Sequence, residues 1–272
     1  MHTFVNKTAI VTGGASGIGR ELCEALAREG ATVFVADINK EGADQTVTAI
    51  SDAGGTAFAV FTDMRDPDAV ELLIETATAD GGQLDYMFNN AGVIMFGEFR
   101  DMTYDDWRHF IDSDLMSVVY GTNCAYRVMR KQGSGHIVNV SSVFGLFPFA
   151  LATGYTAVKQ AVVGLSLSLR PEAADLGVKV SVACPGTIET EVRRSYKIFN
   201  GDREAFNKLI MKQMSPKKAA VKILNGVRKN RGVIAFPFYD AIFWWLYRIS
   251  PALNYGWQRM LVKLFRKRVR NR

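Results

Sequence analysis

Residues 11–20, VTGGASGIGR, follow a short β-branched run and open a helical pattern. Gly13, Gly17 and Gly19 permit a tight turn, a close approach of the backbone to a pyrophosphate, and close packing of the following helix. The N-terminus of that helix would face the phosphates with its free N–H groups. A glycine-rich turn alone also fits a surface loop, but its place after the first strand predicts dinucleotide binding.

An acidic residue, Asp37, ends the second predicted strand eighteen residues after Gly19. A carboxylate at this position can hold both ribose hydroxyls of a dinucleotide, and it repels a 2′-phosphate. The sequence therefore predicts NAD as the cofactor, preferred over NADP. Arg20 and Lys40 are the nearby residues that could accommodate a phosphate instead.

Short β-branched runs alternate with longer helical patterns through most of the chain. The predicted strands are residues 8–12, 31–37, 56–62, 84–90, 135–142 and 178–185, and the predicted helices are near 17–29, 40–53, 67–80, 104–131 and 155–176. This alternation implies right-handed crossovers and a sheet covered on both faces. We expect an α/β fold with a doubly wound, mostly parallel, seven-stranded sheet of Rossmann type and a helical C-terminal extension.

Composition excludes several classes of function. Three scattered cysteines among 272 residues, with no CxxC spacing, predict buried thiols rather than disulfides or zinc ligands. The chain has only three histidines, so we expect no metal site. Residues 240–272 contain eight Lys+Arg and one Asp, a balance of +7, which leaves 25 basic and 26 acidic residues, a balance of −1, elsewhere. Because the basic character belongs to the tail, we expect no nucleic-acid partner.

The stretch GYTAVKQAVVGLS, residues 154–166, places Tyr155 and Lys159 one turn apart on a predicted helix face. A phenol titrates near pH ~10 and is a poor base at neutral pH. A neighbouring ammonium favours the phenolate and makes the tyrosine a usable proton acceptor. Spacing alone also fits a Tyr–Lys pair on a helix surface, but NVSSVFG, residues 139–145, brings two serines to a strand end just upstream.

The G-x-x-x-G-x-G turn, NNAG at 89–92 and the Ser–Tyr–Lys spacing together resemble the short-chain dehydrogenase/reductase family over about residues 7–236. The resemblance implies that Ser142 rather than Ser141 holds the substrate oxygen, that Tyr155 exchanges the proton, and that Lys159 tunes Tyr155 and holds the ribose. It implies an adenine contact in TDMRD and a nicotinamide contact in CPGTIET. The cofactor-binding residues implied are Gly13, Ser16, Gly17, Ile18, Gly19, Asp37, Asp63, Met64, Asn90, Tyr155, Lys159, Pro185, Ile188 and Thr190.

One position departs from the family's pattern. Where the family usually has an asparagine that holds a relay water, the stretch IDSDLMSVVYGT (111–122) has Asp114, which we count with the catalytic positions. An anion near Lys159 would offset the pull of the ammonium and raise the pKa of Tyr155. Asp114 is therefore either a working substitute that moves the pH optimum upward or the mark of a weakened activity; we favour the working enzyme.

Aromatic residues follow Ser142, and the family has a substrate-covering loop at about 190–215. Phe144, Phe147 and Phe149, with Met95 and Phe96, favour a bulky apolar alcohol or ketone, such as a steroid, a retinoid or a fatty-chain compound. The same residues also fit ordinary core packing.

We divide the chain into a dinucleotide-binding and catalytic domain, residues 1–236, and an amphipathic basic extension, residues 237–272. Trp257, Met260, Leu261, Leu264 and Phe265 predict one apolar helix face in this extension. With the basic groups around it, the helix either lies on an anionic membrane surface or packs over the active site or a second subunit.

The sequence thus predicts an oxidoreductase that transfers a hydride between NAD(H) and an apolar secondary alcohol or ketone. The alternative is a catalytically weak NAD(H)-binding sensor or scaffold with a membrane- or partner-binding tail. The resemblance implies a homodimer or homotetramer paired through the helices near 104–131 and 155–176. We expect a cytoplasmic protein, either free or peripheral at a membrane surface through residues 240–272.

Overall fold

The computed structural model describes residues 4–189, 196–208 and 214–270, in which strands and helices alternate as the periodicity predicts. The strands are β1 Thr8–Thr12, β2 Thr32–Asp37, β3 Thr56–Phe61, β4 Tyr86–Asn89, β5 Met95–Phe96, β6 Gly135–Val140, β7 Val178–Pro185, β8 Lys197–Ile198 and β9 Val233–Phe236. The helices are α1 Gly17–Arg28, α2 Lys40–Asp52, α3 Pro67–Ala77, α4 Tyr104–Phe110, α5 Ser117–Gln132, α6 Thr153–Ala174, α7 Arg203–Asn207, α8 Pro216–Arg228, α9 Phe238–Ile249 and α10 Ala252–Arg268.

Seven of the strands form one parallel sheet in the order β3-β2-β1-β4-β6-β7-β9. The prediction of a doubly wound, seven-stranded α/β fold is confirmed, and the seventh strand, which the sequence analysis did not locate, is β9. Helices cover both faces of the sheet, as two neighbouring residues of β1 illustrate. Val11 packs with α1 and α8 on one face, and Ile10 packs with α3 and α5 on the other. Both side chains are fully buried, which explains why the strands are continuously apolar.

The order of the strands reverses between β1 and β4, which lie side by side. In an open α/β sheet, the crevice at such a reversal, outside the carboxyl ends of the strands, is where ligands bind. The glycine turn follows β1 and the NNAG segment follows β4, so both lie at this crevice. The fold therefore gathers the predicted motifs at one edge of the sheet.

The helix predicted over 104–131 is not regular. Between α4 and α5, residues Ile111–Met116 form a π-helical segment, in which the Ser117 N–H donates to the Asp112 carbonyl five residues back. The sequence pattern predicts one continuous helix here and does not reveal the wide turn. Such segments are rare and often lie at functional sites.

The C-terminal extension consists of the two helices α9 and α10, and both pack on the sheet domain. Trp244 and Tyr247 of α9 contact a core cluster that contains Phe147 and Val182. Phe265 of α10 is fully buried. The boundary between residues 236 and 237 stays a prediction. The three cysteines are free and buried, as the sequence predicts. No helix within the described ranges is long and apolar enough to cross a membrane.

Candidate active site

The turn after β1 has the geometry of a phosphate cradle. Gly13 and Gly17 have φ angles of 68° and 55°, which side chains other than glycine rarely adopt. A Cβ at Gly19 would collide with the Gly13 carbonyl oxygen, so only glycine allows this approach of helix to turn. Ser16 precedes α1, and within the described part of the chain its side chain makes no capping bond. The first N–H groups of α1, including that of Ile18, are thus available to an anion.

The Asp37 carboxylate lies beside this turn. One oxygen accepts a hydrogen bond from the Ala15 N–H at 3.0 Å, and the other accepts one from the Asn39 N–H at 2.9 Å. These bonds fix a carboxylate at the end of β2 against the phosphate cradle. A carboxylate retains further lone pairs, so it can also accept hydrogen bonds from a diol. The residues around the crevice therefore fit a dinucleotide.

Thr12 ties the NNAG segment to the glycine turn, a role that the sequence analysis missed. Its hydroxyl oxygen accepts hydrogen bonds from the N–H groups of Asn90 and Ala91, each at 3.0 Å. The Asn90 side-chain amide donates to the Thr12 carbonyl at 2.9 Å. A threonine that ends a buried strand before a glycine turn is the signal that could have identified it.

The other predicted cofactor positions surround the same edge. Asp63 follows β3, where a two-pronged ion pair with Arg65 holds its pKa below the usual value. Met64 beside it is buried, Pro185 ends β7, and Ile188 forms a bridge with Met214. Thr190 lies outside the described residues.

Tyr155 and Lys159 lie one turn apart on α6, with the Lys159 ammonium 5.5 Å from the centre of the phenol ring. Tyr155 is partly exposed, whereas Lys159 is only 3% exposed. The Ser142 hydroxyl lies beside the Tyr155 phenol and accepts a hydrogen bond from the Phe144 N–H at 3.2 Å. Ser141 instead donates to the Lys159 carbonyl at 2.7 Å, a bond that holds β6 against α6. The two serines thus have different surroundings, and of the two it is Ser142 that lies beside the phenol.

Asp114 forms a buried ion pair with Lys159. The ammonium lies 2.9 Å from one Asp114 oxygen, and the other oxygen accepts a bond from the Val93 N–H at 3.0 Å. Asp114 is fully buried, and the π-helical segment carries it to this point. Gly92 makes room for the pair, because a Cβ there would come within 2.6 Å of the carboxylate. Lys159 also donates to the Val140 carbonyl at 3.3 Å.

Tyr155, Lys159 and Asp114 shift one another's pKa values. Burial raises the pKa of Tyr155, Lys159 lowers it, and Asp114 adds to the rise, in the direction expected from the sequence. Burial would lower the pKa of Lys159, but the facing charges of Asp114 and Tyr155 outweigh it and the pKa is raised. Burial raises the pKa of Asp114 despite Lys159. The site therefore keeps an ammonium beside a phenol whose deprotonation is shifted toward alkaline pH.

We expect Asp114→Asn to retain turnover and to move the pH profile of alcohol oxidation downward. The substitution removes an anion that adds to the rise in the pKa of Tyr155, so the rise of kcat/KM with pH begins at a lower pH. The measurement is kcat/KM against pH, with the exposed neighbour Asp112→Asn as the control that leaves the profile unchanged. Total loss of turnover, or a profile that moves upward, would contradict this role of Asp114.

Aromatic side chains surround Tyr155. The ring of Phe144 meets the phenol edge-on at 6.2 Å between centres, and that of Phe110 lies at 6.4 Å. Phe149 stacks on Phe144 at 4.3 Å, and Trp257 of α10 lies 5.6 Å from Phe149. The Tyr155 phenol therefore lies against a largely apolar wall.

The remaining predicted wall residues divide between site and core. Phe96 belongs to the cluster that Tyr155 and Phe149 join, and Met95 packs beside Tyr155 with Phe110. Phe147 is instead buried with Val182 in the core, so for this residue the interpretation as ordinary core packing applies.

Helix α10 covers this side of the molecule. Phe265 and Leu261 pack into the aromatic cluster, but Met260, which the helical period placed on the same face, is 59% exposed. Among the alternatives for the tail, the structure places this apolar face against the protein itself. The predicted apolar face was too wide because it included Met260. The face that packs against the protein is centred on Phe265 and continues to Val269.

Two acidic residues that the sequence analysis missed anchor α10. Arg266 and Arg270 lie 2.6 and 2.8 Å from the Glu98 carboxylate, and Arg270 also pairs with Asp101 at 2.5 Å. Glu98 is buried, and its hydrogen bond with Arg266 holds its pKa below the usual range. The signal was the acidic pair in GEFRD, residues 97–101, together with a basic tail that follows an otherwise nearly neutral sequence.

Comparison with known proteins gives a consistent result. A family model for short chain dehydrogenases matches residues 7–200. Cyclohexanol dehydrogenase from Acinetobacter sp. (strain SE19) is 36% identical over 192 residues, which are 70% of this chain and 76% of that protein. Cyclopentanol dehydrogenase from Comamonas testosteroni is 35% identical over 185 residues, 68% of this chain and 74% of that protein.

A solved structure extends the similarity to nearly the whole chain. The crystal structure of a short chain dehydrogenase/reductase from Burkholderia phymatum in complex with NAD superimposes with a TM-score of 0.84 at 25% identity. The superposition covers 93% of this chain and 97% of that chain.

Proposed function

The chain belongs to the short-chain dehydrogenase/reductase family, and on that premise we propose that it oxidises an apolar secondary alcohol, or reduces the corresponding ketone, with NAD(H). The observation that carries the proposal is the partly exposed Tyr155 phenol, held between Ser142 and a buried Lys159–Asp114 ion pair, against an aromatic wall. An acid–base group, a polar contact for the substrate oxygen and an apolar wall are what this reaction requires.

The cofactor-binding side of the proposal uses the residues at the crevice. The first turn of α1, from Ser16 to Gly19, would hold the pyrophosphate, and Asp37 the adenosine ribose. Asn90, Ile188 and the Lys159 side chain would line the remainder, with Asp63 and Met64 near the adenine. The nicotinamide, when bound, supplies the acceptor or donor for the hydride.

The protein's own groups handle the proton. In oxidation, the Ser142 hydroxyl orients the alcohol oxygen and the Tyr155 phenolate takes its proton; in reduction, the phenol returns a proton to the developing alkoxide. Lys159 favours the phenolate by its charge, and Asp114 limits this effect while it keeps the ammonium in place. Two opposing charges thus set the working pH of one phenol.

The names of the two relatives support the substrate class. Cyclohexanol and cyclopentanol are apolar cyclic secondary alcohols, and the aromatic wall of this chain suits a compound of that kind. We extend the proposal to larger apolar compounds, namely steroid-, retinoid- or fatty-chain-like alcohols, because Trp257 and the Phe149–Phe144 stack enlarge the apolar surface. A homodimer or homotetramer and a cytoplasmic location remain part of the proposal.

The test is NADH formation by the purified chain with a panel of secondary alcohols across a pH series. Cyclic and long-chain apolar alcohols would be compared with small polar ones, such as glycerol. We expect the highest kcat/KM with apolar cyclic alcohols and a rise in rate toward alkaline pH. Binding of NADH without turnover of any panel member would favour the alternative, a cofactor-binding sensor or scaffold.

The preference for NAD over NADP is expected to depend on Asp37. Asp37→Ser removes the negative charge at the end of β2, so the ratio of kcat/KM for NAD to that for NADP should fall about tenfold or more. The matched control is Asp44→Ser, which removes an exposed acid from α2. An unchanged ratio in Asp37→Ser would place the discrimination at another residue.

A further inference from the structure

Helix α9 turns an apolar face to solvent. Large side chains that are highly exposed recur at helical spacing along it, with exposed fractions of 75%, 49%, 56% and 77% at Phe238, Ile242, Trp245 and Ile249. The opposite face packs inward through Trp244 and Tyr247. At 3.6 residues per turn the two sets lie on opposite sides of the helix. A solvent-facing stripe of this kind marks an interaction surface.

The neighbouring helix α10 turns a basic face to solvent. Its inward side carries Leu261 and Phe265, whereas Arg259, Lys263 and Lys267 are exposed on the side away from Phe265. Arg266 and Arg270 are already paired with Glu98 and do not belong to this outward face. Arg248 adds a charge at the end of α9, where its guanidinium lies 5.1 Å from the centre of the Trp245 ring.

We propose that the outward faces of α9 and α10 form a docking surface for an anionic lipid bilayer, on which the protein lies without crossing it. Apolar and aromatic side chains enter the acyl boundary, and the basic side chains meet the anionic headgroups. The 12 residues of α9 are too few to span a bilayer, and no helix among the described residues is long and apolar enough to do so.

Charge decides between a bilayer and a second copy of this chain. A two-fold contact brings the same patch of both subunits together. The outward faces of α9 and α10 carry the exposed cations Arg248, Arg259, Lys263 and Lys267, so such a contact would bring positive charges together. An anionic bilayer complements both features, because its acyl region accepts the apolar stripe and its headgroups attract the positive charge. This inference does not rest on the reaction proposed above.

The test is co-sedimentation of the full-length protein with vesicles, either of phosphatidylcholine alone or with phosphatidylglycerol added. Point substitutions are preferred to truncation, because removal of α10 would uncover the cluster around Phe265. Trp245→Ser/Ile249→Ser shortens the stripe. The matched control is Phe58→Ser/Leu72→Ser, which removes two large apolar side chains that are 51% and 61% exposed elsewhere.

We expect the wild type and the control to bind phosphatidylglycerol vesicles, and Trp245→Ser/Ile249→Ser to bind about tenfold more weakly. Arg259→Gln/Lys263→Gln/Lys267→Gln should weaken binding to anionic vesicles by a similar factor or more, but not binding to neutral ones. The proposal is overturned if the wild type does not bind, or if all variants bind equally. It is also overturned if the stripe variant changes the oligomeric state by light scattering and not the vesicle binding, which would assign the surface to a second copy.

Discussion

Lys159→Met is expected to destabilise the folded protein by about 3–5 kcal/mol and to reduce turnover about 100-fold or more. The methionine fills a similar space, but it leaves the Asp114 carboxylate fully buried with no cation beside it. Burial already raises the pKa of Asp114 above its unfolded value, and loss of the ammonium raises it further. The loss of stability therefore grows as the pH rises and shrinks as the pH is lowered toward protonation of Asp114.

Urea unfolding at two pH values measures this effect, and a second variant separates stability from chemistry. Lys159→Met/Asp114→Asn also removes the unpaired Asp114 carboxylate, so it should regain most of the stability and none of the turnover. If Lys159→Met unfolds at the same urea concentration as the wild type, the ion pair is not the desolvated contact described above.

Tyr155→Phe is expected to reduce turnover by about a thousandfold, within the range of about 10²–10⁴ for loss of a general acid–base group. The substitution removes one hydroxyl, and the ring contacts with Phe144 and Phe110 remain. The melting temperature and NADH binding should therefore change little.

The control for this variant is Tyr126→Phe, which removes the hydroxyl of a partly buried tyrosine that packs in a separate cluster. The measurement is kcat with the best alcohol of the panel. Turnover of Tyr155→Phe close to that of the wild type would exclude the phenol as the proton acceptor.

The cofactor edge of the sheet could be predicted because its requirements are local. Gly13, Gly17 and Gly19 are dictated by backbone geometry, and Asp37 by the end of a strand. Such requirements leave a fixed spacing in the sequence, which a reader can find without knowing what packs against it.

The sequence predicted that Asp114 raises the pKa of Tyr155, but it did not predict the direct ion pair between Asp114 and Lys159. The two residues are 45 positions apart in sequence, and the π-helical turn that moves Asp114 to the ammonium has no signature in the apolar period. Thr12 and Glu98 were missed for the same reason, since their partners lie on other elements.

The tail shows where periodicity gives a face but not its partner. The apolar face of α10 is present, yet it packs inward on the aromatic cluster, and the exposed apolar stripe belongs to α9. A helical period predicts that one side of a helix is buried. Whether the protein or a bilayer covers that side depends on tertiary contacts, which the period does not contain.

In the proposed reaction a hydride leaves the carbinol carbon of an apolar secondary alcohol while Tyr155 takes the hydroxyl proton. The most direct test uses an alcohol of this class deuterated at its carbinol carbon, with NAD and the purified protein. One deuterium is expected in the reduced nicotinamide for each ketone formed, with the rate lost in Tyr155→Phe. Bound cofactor that acquires no deuterium from any apolar alcohol would contradict the account and favour a cofactor-binding sensor or scaffold.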